Sequence, residues 1–249
     1  YRSARKFRLK KNGAVYKIPG VGLDTGVFRP LTAGERREGR RRLGIGEDDF
    51  FLVSVGELNG NKNHKIVLEA LAKMRETGRD IFHIRYGICG DGYYRERMER
   101  WIAEMGLKKT VTLYGYCRQV PAILGCADAS AFPSIREGLG MAGLESLAMG
   151  IPLIAADNRG TREYMEHGRT GFVCRHDDAD GFIRGIESLR QMESKEKERM
   201  RRCCLDAVRP FVLPYAEAVM RRIYADAEKR TGWKEYERDS AHQHHYGRI

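Results

Sequence analysis

The stretch FFLVSVGELNGNKNHKIVLEALAKMR, residues 50–75, decides the fold. Its first six residues form an apolar run interrupted only by Ser54, the pattern of a strand buried on both faces. A polar loop follows, Gly56-Glu-Leu-Asn-Gly-Asn-Lys-Asn-His64. Beyond it Ile66, Val67, Leu71 and Met74 recur at the spacing of an amphipathic helix. The unit repeats down the chain. Strands are expected at 81–89, 111–114, 129–132, 152–155 and 171–174, and helices at 93–105, at 118–124, near Gly140 and from Thr161. Parallel strands joined by helical crossovers give an α/β fold, a Rossmann-like parallel sheet with helices on both faces. Ligands of such sheets bind beyond the carboxyl ends of the strands, where loops enter helices.

Flanking this repeat are two regions of different character. Residues 15–19 read as a strand running into a turn at 20–24, either an edge strand of the same domain or the final strand of a preceding one. From Asp177, a candidate N-cap, helices are expected to Leu189, over 195–208 and over 214–229. The boundaries that follow are 1–30 for an interdomain crossover, 31–230 for one ligand-binding domain and 231–249 for a polar, disordered tail. That tail holds His242, His244 and His245, which could ligate a metal but fit a solvated tail better.

The 249 residues are 42% hydrophobic, enough for a sizeable core, and Lys+Arg exceeds Asp+Glu by 45 to 34, a net charge of +11. That balance suits anionic partners. Basic runs at 36–42 and 199–202 read as solvated helix faces, and neither is interleaved with aromatics as a single-strand binding surface would be. Nucleic acid is therefore not expected as a partner. The six cysteines show no CxxC pair and read as free thiols of a reducing compartment. With no membrane-length apolar run and no signal peptide, the expected location is cytoplasmic.

Four loops at strand ends carry candidate chemistry. Lys62 sits near a helix N-terminus, where amides and the helix dipole already favour an anion, although taken alone such a lysine reads better as a solvated surface residue. Gly90-Asp-Gly92 permits a sharp turn or a close ligand. Tyr114-Gly-Tyr-Cys117 offers aromatics to a flat base or to the core. The fourth is EGLGMAGLESLAMG, residues 137–150, with glutamates at 137 and 145 around a glycine-rich helix start. A phosphate would meet the free N–H groups after Glu137. Glu145 lies about 8 Å further along the axis, the reach from a nucleotide's phosphate to its ribose hydroxyls.

The glutamate pair with seven residues between resembles the signature of the retaining glycosyltransferases of family 4, which have the two-domain GT-B fold. The resemblance runs from about Arg5 to Tyr224. It includes Val53-Ser-Val-Gly-Glu-Leu58 with Lys62, Ile88-Cys-Gly-Asp-Gly92, Pro133-Ser134, Ala148-Met-Gly-Ile-Pro152 and Gly168-Arg-Thr-Gly-Phe172. It is similar in particular to enzymes that build capsular and exopolysaccharide repeats.

The resemblance implies the donor-binding half of such an enzyme. Lys62 would pair with the diphosphate of a nucleotide sugar and Glu137 with the transferred sugar, the two candidate catalytic residues. Gly56, Glu57, Gly90, Gly138, Leu139, Gly140 and Met141 would line the donor, Glu145 would bind ribose, and Tyr116 and Cys117 would lie by the base. Uridine is the base implied. No cofactor and no metal is expected, the acceptor is a saccharide or a lipid-linked sugar, and peripheral contact with the inner face of the membrane accompanies the latter. The resemblance also implies a preceding acceptor domain, absent here, whose last strand would be 15–19.

One residue departs from the pattern: many members carry, where this chain has Glu57, an arginine that also holds the diphosphate. The alternative function is a nucleotide-sugar-binding module without turnover.

Overall fold

A computed structural model describes residues 13–18, 20 and 22–231. The tail histidines and Pro19 lie outside the described residues. Six parallel strands, β1 Phe50–Val55, β2 Ile84–Cys89, β3 Val111–Gly115, β4 Ala129–Phe132, β5 Leu153–Ala156 and β6 Gly171–Cys174, form one sheet. Its order is β3-β2-β1-β4-β5-β6. The helices are α1 Ala33–Leu43, α2 His64–Glu76, α3 Arg95–Glu104, α4 Val120–Leu124, α5 Met141–Ala148, α6 Ala179–Gln191, α7 Ser194–Ala207 and α8 Leu213–Thr231. This is the Rossmann-like fold expected from the repeat.

β1 shows how the sheet becomes the centre of two apolar layers. Phe50 and Leu52 point into the core built on α2, α3 and α6, while Phe51 and Val53 enter a second core with Leu124 of α4 and Ile45. All four are buried, so each face removes large side chains from water. α1 begins with a capping box, Thr32 Oγ1 accepting from the Glu35 N–H while Glu35 accepts from the Thr32 N–H.

Several boundaries move, each for a local reason. β2 starts at Ile84 because Asp80 caps a turn, its carboxylate accepting from the Phe82 N–H (2.8 Å). Asp178, not Asp177, caps α6, accepting from the Gly181 N–H at 2.9 Å, while Asp177 pairs with Arg175. The helix expected from Thr161 is a single 3-10 turn, Thr161–Glu163. Residues 15–18 form no strand; Leu23 instead bridges to Val212. Among the described residues no helix is long and apolar enough to cross a membrane.

The basic run on α1 is only partly a solvated face. Arg40 is buried, its guanidinium donating to the carbonyls of Cys126, Gly46 and Asp49 and to the Asp128 carboxylate. Arg36 donates to the same carboxylate at 2.6 Å. Asp128 in turn accepts from the Phe51 N–H (2.8 Å), which ties α1 to the junction of β1 and β4.

His64, the first residue of α2, is buried at 3% exposure against the backbone of Gly56 and Glu57, and neither ring nitrogen makes a hydrogen bond of normal geometry. Burial lowers its pKa to about 4, so the folded chain holds it neutral. Its contribution is present above the unfolded value of about 6.5 and is lost as pH falls towards 4, because only the unfolded chain then takes up the proton. Denaturant titrations at pH 7 and pH 5 should show a loss of about 2 kcal/mol from this group. His64→Leu should flatten that pH dependence, and an equal slope in both proteins would exclude His64 as its source.

Candidate functional site

The strand order reverses between β1 and β4, the topological switch point of the sheet, so the loops leaving these two strands diverge above a crevice. They are stitched together by side chains of the first. The Ile135 N–H donates to the Asn61 carbonyl (2.8 Å), the Arg136 N–H to Asn61 Oδ1 (3.2 Å), and Asn61 Nδ2 returns to the Arg136 carbonyl (3.0 Å). Asn63 is left-handed at φ 54°, the one non-glycine residue with positive φ among those described. Its Nδ2 donates to the carbonyls of Pro133 (3.3 Å) and His176 (2.8 Å). Lys62 stands between these two stitches. Its stem lies along Gly56, and its ammonium donates to Glu137 Oε1 at 2.7 Å, 5.8 Å from the centre of the Phe132 ring. The side chains of Lys62 and Glu137 are 23% and 13% exposed, so the pair is partly withdrawn from water.

Beyond Glu137 the backbone presents donors without acceptors. No described group accepts from the N–H of any residue from 137 to 142. Gly140 takes the N-cap position of α5 at φ 84°, and glycine offers no capping oxygen. The positive end of α5 therefore faces outward uncapped. A Cβ at Gly138 would meet nothing within 4 Å, so that backbone is open to a ligand.

The other glycines have a different reason. A Cβ on Gly140 or Gly143 would come within 2.9 or 2.3 Å of the Tyr164 hydroxyl, which donates to the Gly140 carbonyl (3.1 Å). Tyr164 is buried and is held in place by the turn before it. There Asn158 Oδ1 accepts from the N–H groups of Gly160 and Thr161, and Asn158 Nδ2 donates to the Ser134 carbonyl (2.9 Å). The small residues at the start of α5 thus admit a supporting tyrosine as well as a ligand. Asn158, Thr161 and Tyr164 were not identified from sequence; the Asn-x-x-Thr turn directly after β5 was the available signal. Gly90 is likewise a packing residue, since a Cβ there would lie 1.9 Å from the Gly56 carbonyl oxygen. It lets the loop after β2 seat against the loop after β1, where the Leu58 N–H donates to the Asp91 carbonyl.

Glu145 lies on α5, half-buried, with no pairing group among the described residues, and burial raises its pKa. Glu57 is exposed and accepts from Asn59 Nδ2 (2.9 Å). Leu139 and Met141 pack partly against the core beside Gly140. Tyr116, 81% exposed, and Cys117, whose thiol donates to the Gly115 carbonyl, follow the edge strand β3. β2 stands between that strand and β1. The structure therefore brings Lys62, Glu137 and the 137–142 amides together, and leaves Tyr116 and Cys117 on the far side of the second loop. A separate cavity lined by Phe50, Asp128, Ile151 and Pro152 lies at the amino ends of the strands, away from these loops.

A family model described as glycosyl transferases group 1 matches residues 35–203. The chain belongs to this family. EpsD of Bacillus subtilis (strain 168) is 39% identical over 180 residues, covering 72% of this chain and 46% of that protein. The UDP-Gal:alpha-D-GlcNAc-diphosphoundecaprenol alpha-1,3-galactosyltransferase of Escherichia coli is 28% identical, covering 75% and 48%. This group 1 chain spans about half the length of the curated relatives it matches.

Solved structures agree on the fold. Anabaena HepE in complex with UDP superposes with a TM-score of 0.74 at 19% identity, over 82% of this chain and 56% of that one. The C-terminal domain of the group 1 glycosyl transferase LpcC from Francisella tularensis superposes with a TM-score of 0.64 at 18% identity, over 75% and 96%. The architecture is that of one Rossmann-like half of a GT-B glycosyltransferase.

The Tyr164 support can be tested by stability. Gly143→Ala gains up to about 1 kcal/mol of helix propensity but drives a methyl into the Tyr164 hydroxyl. A net loss of about 1–3 kcal/mol is expected in chemical denaturation, as for other overpacked cores. Adding Tyr164→Phe should recover part of it; no recovery would exclude this contact as the cause.

Proposed function

We propose that this domain binds the donor of a glycosyltransferase, a nucleoside diphosphate sugar with uridine as its base, and that the whole enzyme transfers the sugar with retention of configuration. The observation that carries the reading is the run of unaccepted N–H groups from 137 to 142 beside the Lys62 ammonium. A diphosphate seated there would receive backbone donors, the α5 dipole and one lysine together. As the bond to the sugar breaks, negative charge grows on the departing diphosphate, and donors already aimed at it need no reorganisation. Glu137, at the inner end of the amide run, would accept from hydroxyls of the transferred sugar. Glu145 would take the two ribose hydroxyls, which accounts for a half-buried carboxylate left without a partner. HepE, of the same fold, has been solved with UDP and with UDP-glucose, which supports the choice of base.

Metal independence belongs to this proposal, with Lys62 and the amides in place of a cation. The acceptor would be a saccharide or a lipid-linked sugar, the latter bringing the enzyme to the inner face of the membrane. The free thiols among the described residues suit the cytoplasmic side, where nucleotide sugars would be met.

Calorimetric titration with UDP tests the reading directly. Binding should survive a chelator, and Lys62→Ala should weaken it at least about tenfold, the loss of one charge-assisted contact of about 1.5–3 kcal/mol. Chelator-sensitive binding, or an unchanged Kd in the variant, would overturn the corresponding role.

Glu145→Gln should also weaken UDP about tenfold. The same substitution should raise the Tm modestly, because it removes a desolvated charge that no group among the described residues compensates. A variant with lower Tm and unchanged UDP affinity would make Glu145 a structural residue. For the whole enzyme, NMR of the first-formed product should show the donor's anomeric configuration, and an inverted product would refute retention.

A further inference from the structure

The ion pair at the centre of the site has an unexpected composition. Lys62 is held by Glu137 at 2.7 Å, both side chains more than three-quarters covered. Two further carboxylates lie on the elements that carry the pair, Glu57 in the loop of Lys62 and Glu145 on the helix that follows Glu137. The carboxylate that neutralises Lys62 is also the one expected to meet the transferred sugar.

We infer that Glu137 and the donor's diphosphate exchange places on Lys62, so that Glu137 sets the preference of this site for sugar-bearing donor over bare nucleoside diphosphate. The inference rests on the donor-site reading above.

The physical argument concerns one ammonium and two anions. In the structure Glu137 satisfies Lys62, and breaking that contact leaves two largely covered charges unpaired, which is costly. A diphosphate that arrives takes the ammonium and must leave Glu137 a substitute. A nucleotide sugar brings one, since its sugar hydroxyls can donate to the displaced carboxylate. A bare diphosphate brings none. Glu137 then either keeps its hold on Lys62 or stands beside the phosphates as an unpaired like charge, and both outcomes weaken the complex. After transfer the sugar is gone, and the returning carboxylate favours release of the diphosphate.

Glu57 sharpens the effect. It is exposed in the Lys62 loop and hydrogen-bonded to Asn59, so it adds a carboxylate to that loop and no second cation. Lys62 is the cation that Glu137 holds, and the one a diphosphate would take from it. The geometry around it is fixed by the Asn61 and Asn63 stitches, so the exchange needs only the two side chains to turn.

The experiment titrates UDP into the wild-type chain, Glu137→Gln, Lys62→Ala and the double variant, with circular dichroism and Tm confirming that each is folded. Glu137→Gln should bind UDP about three- to tenfold more tightly than wild type, the scale of one partly screened charge–charge contact. A glutamate with only a structural role would not give tighter binding. In the Lys62→Ala background the gain should vanish, because no ammonium is left to compete for. An equal gain in both backgrounds would mean simple repulsion and would overturn the exchange. Unchanged or weaker UDP binding by Glu137→Gln, with wild type still binding, would overturn it while leaving the donor-site reading intact. No UDP binding by any of the four proteins would remove the donor-site reading and this inference together.

Discussion

The junction between β1 and β4 is the constraint on which the rest of the structure depends. The two strands share a register of two residue pairs, Leu52 with Ala129 and Val53 with Ser130, a short seam for the middle of a sheet. Side chains reinforce it at both ends. At the amino end Asp128 accepts from the Phe51 N–H and from Arg36 and Arg40. At the carboxyl end Ser54 Oγ donates to the Ala131 carbonyl at 2.7 Å and lies within 2.8 Å of the Tyr86 hydroxyl. A polar seam inside an apolar sheet is tolerable because every partner is satisfied, and it pins the two loops that leave these strands.

From that seam the site is assembled outward by packing rather than by flexible loops. Asn61 and Asn63 fasten one loop to the other, Gly90 lets a third loop seat against the first, and Tyr164 lies under the start of α5. Each contact fixes where Lys62, Glu137 and the 137–142 amides stand relative to one another. Donors held in this way are preorganised, and an anion that enters finds them already aimed.

How much of this could be read from the sequence depended on range. β1, β4 and β6 were legible to the residue because a short, mostly apolar run between turns writes a strand in consecutive letters, and α2 to within a residue because its apolar face repeats every turn. Lys62 and the Glu137–Glu145 spacing were legible as a motif. Partners distant in sequence were not. Nothing local in the α1 arginine run distinguishes Arg40, which reaches Cys126 and Asp128, from Arg41 and Arg42, which pair with Glu38 in solvent. Nothing in the 137–150 stretch announces that Gly140 and Gly143 yield to a tyrosine some twenty residues on. The strand expected at 15–19 is absent from its described residues, 15–18, for the same reason, because strand character needs a neighbour as well as a propensity.

The bridge between Leu23 and Val212 has a consequence for the order in which this chain folds. The Leu23 N–H donates to the Phe211 carbonyl (2.8 Å) and the Leu213 N–H to the Leu23 carbonyl (2.9 Å), closing a loop of about 190 residues. So long a loop forms only after the intervening strands have been drawn together, whereas each strand–helix–strand unit closes locally and early. The same closure docks the start of α8 on the segment before α1, with Leu23 and Phe211 both buried in the main core. In hydrogen exchange, the start of α8 and residues 22–24 would therefore lose protection together, as one cooperative unit.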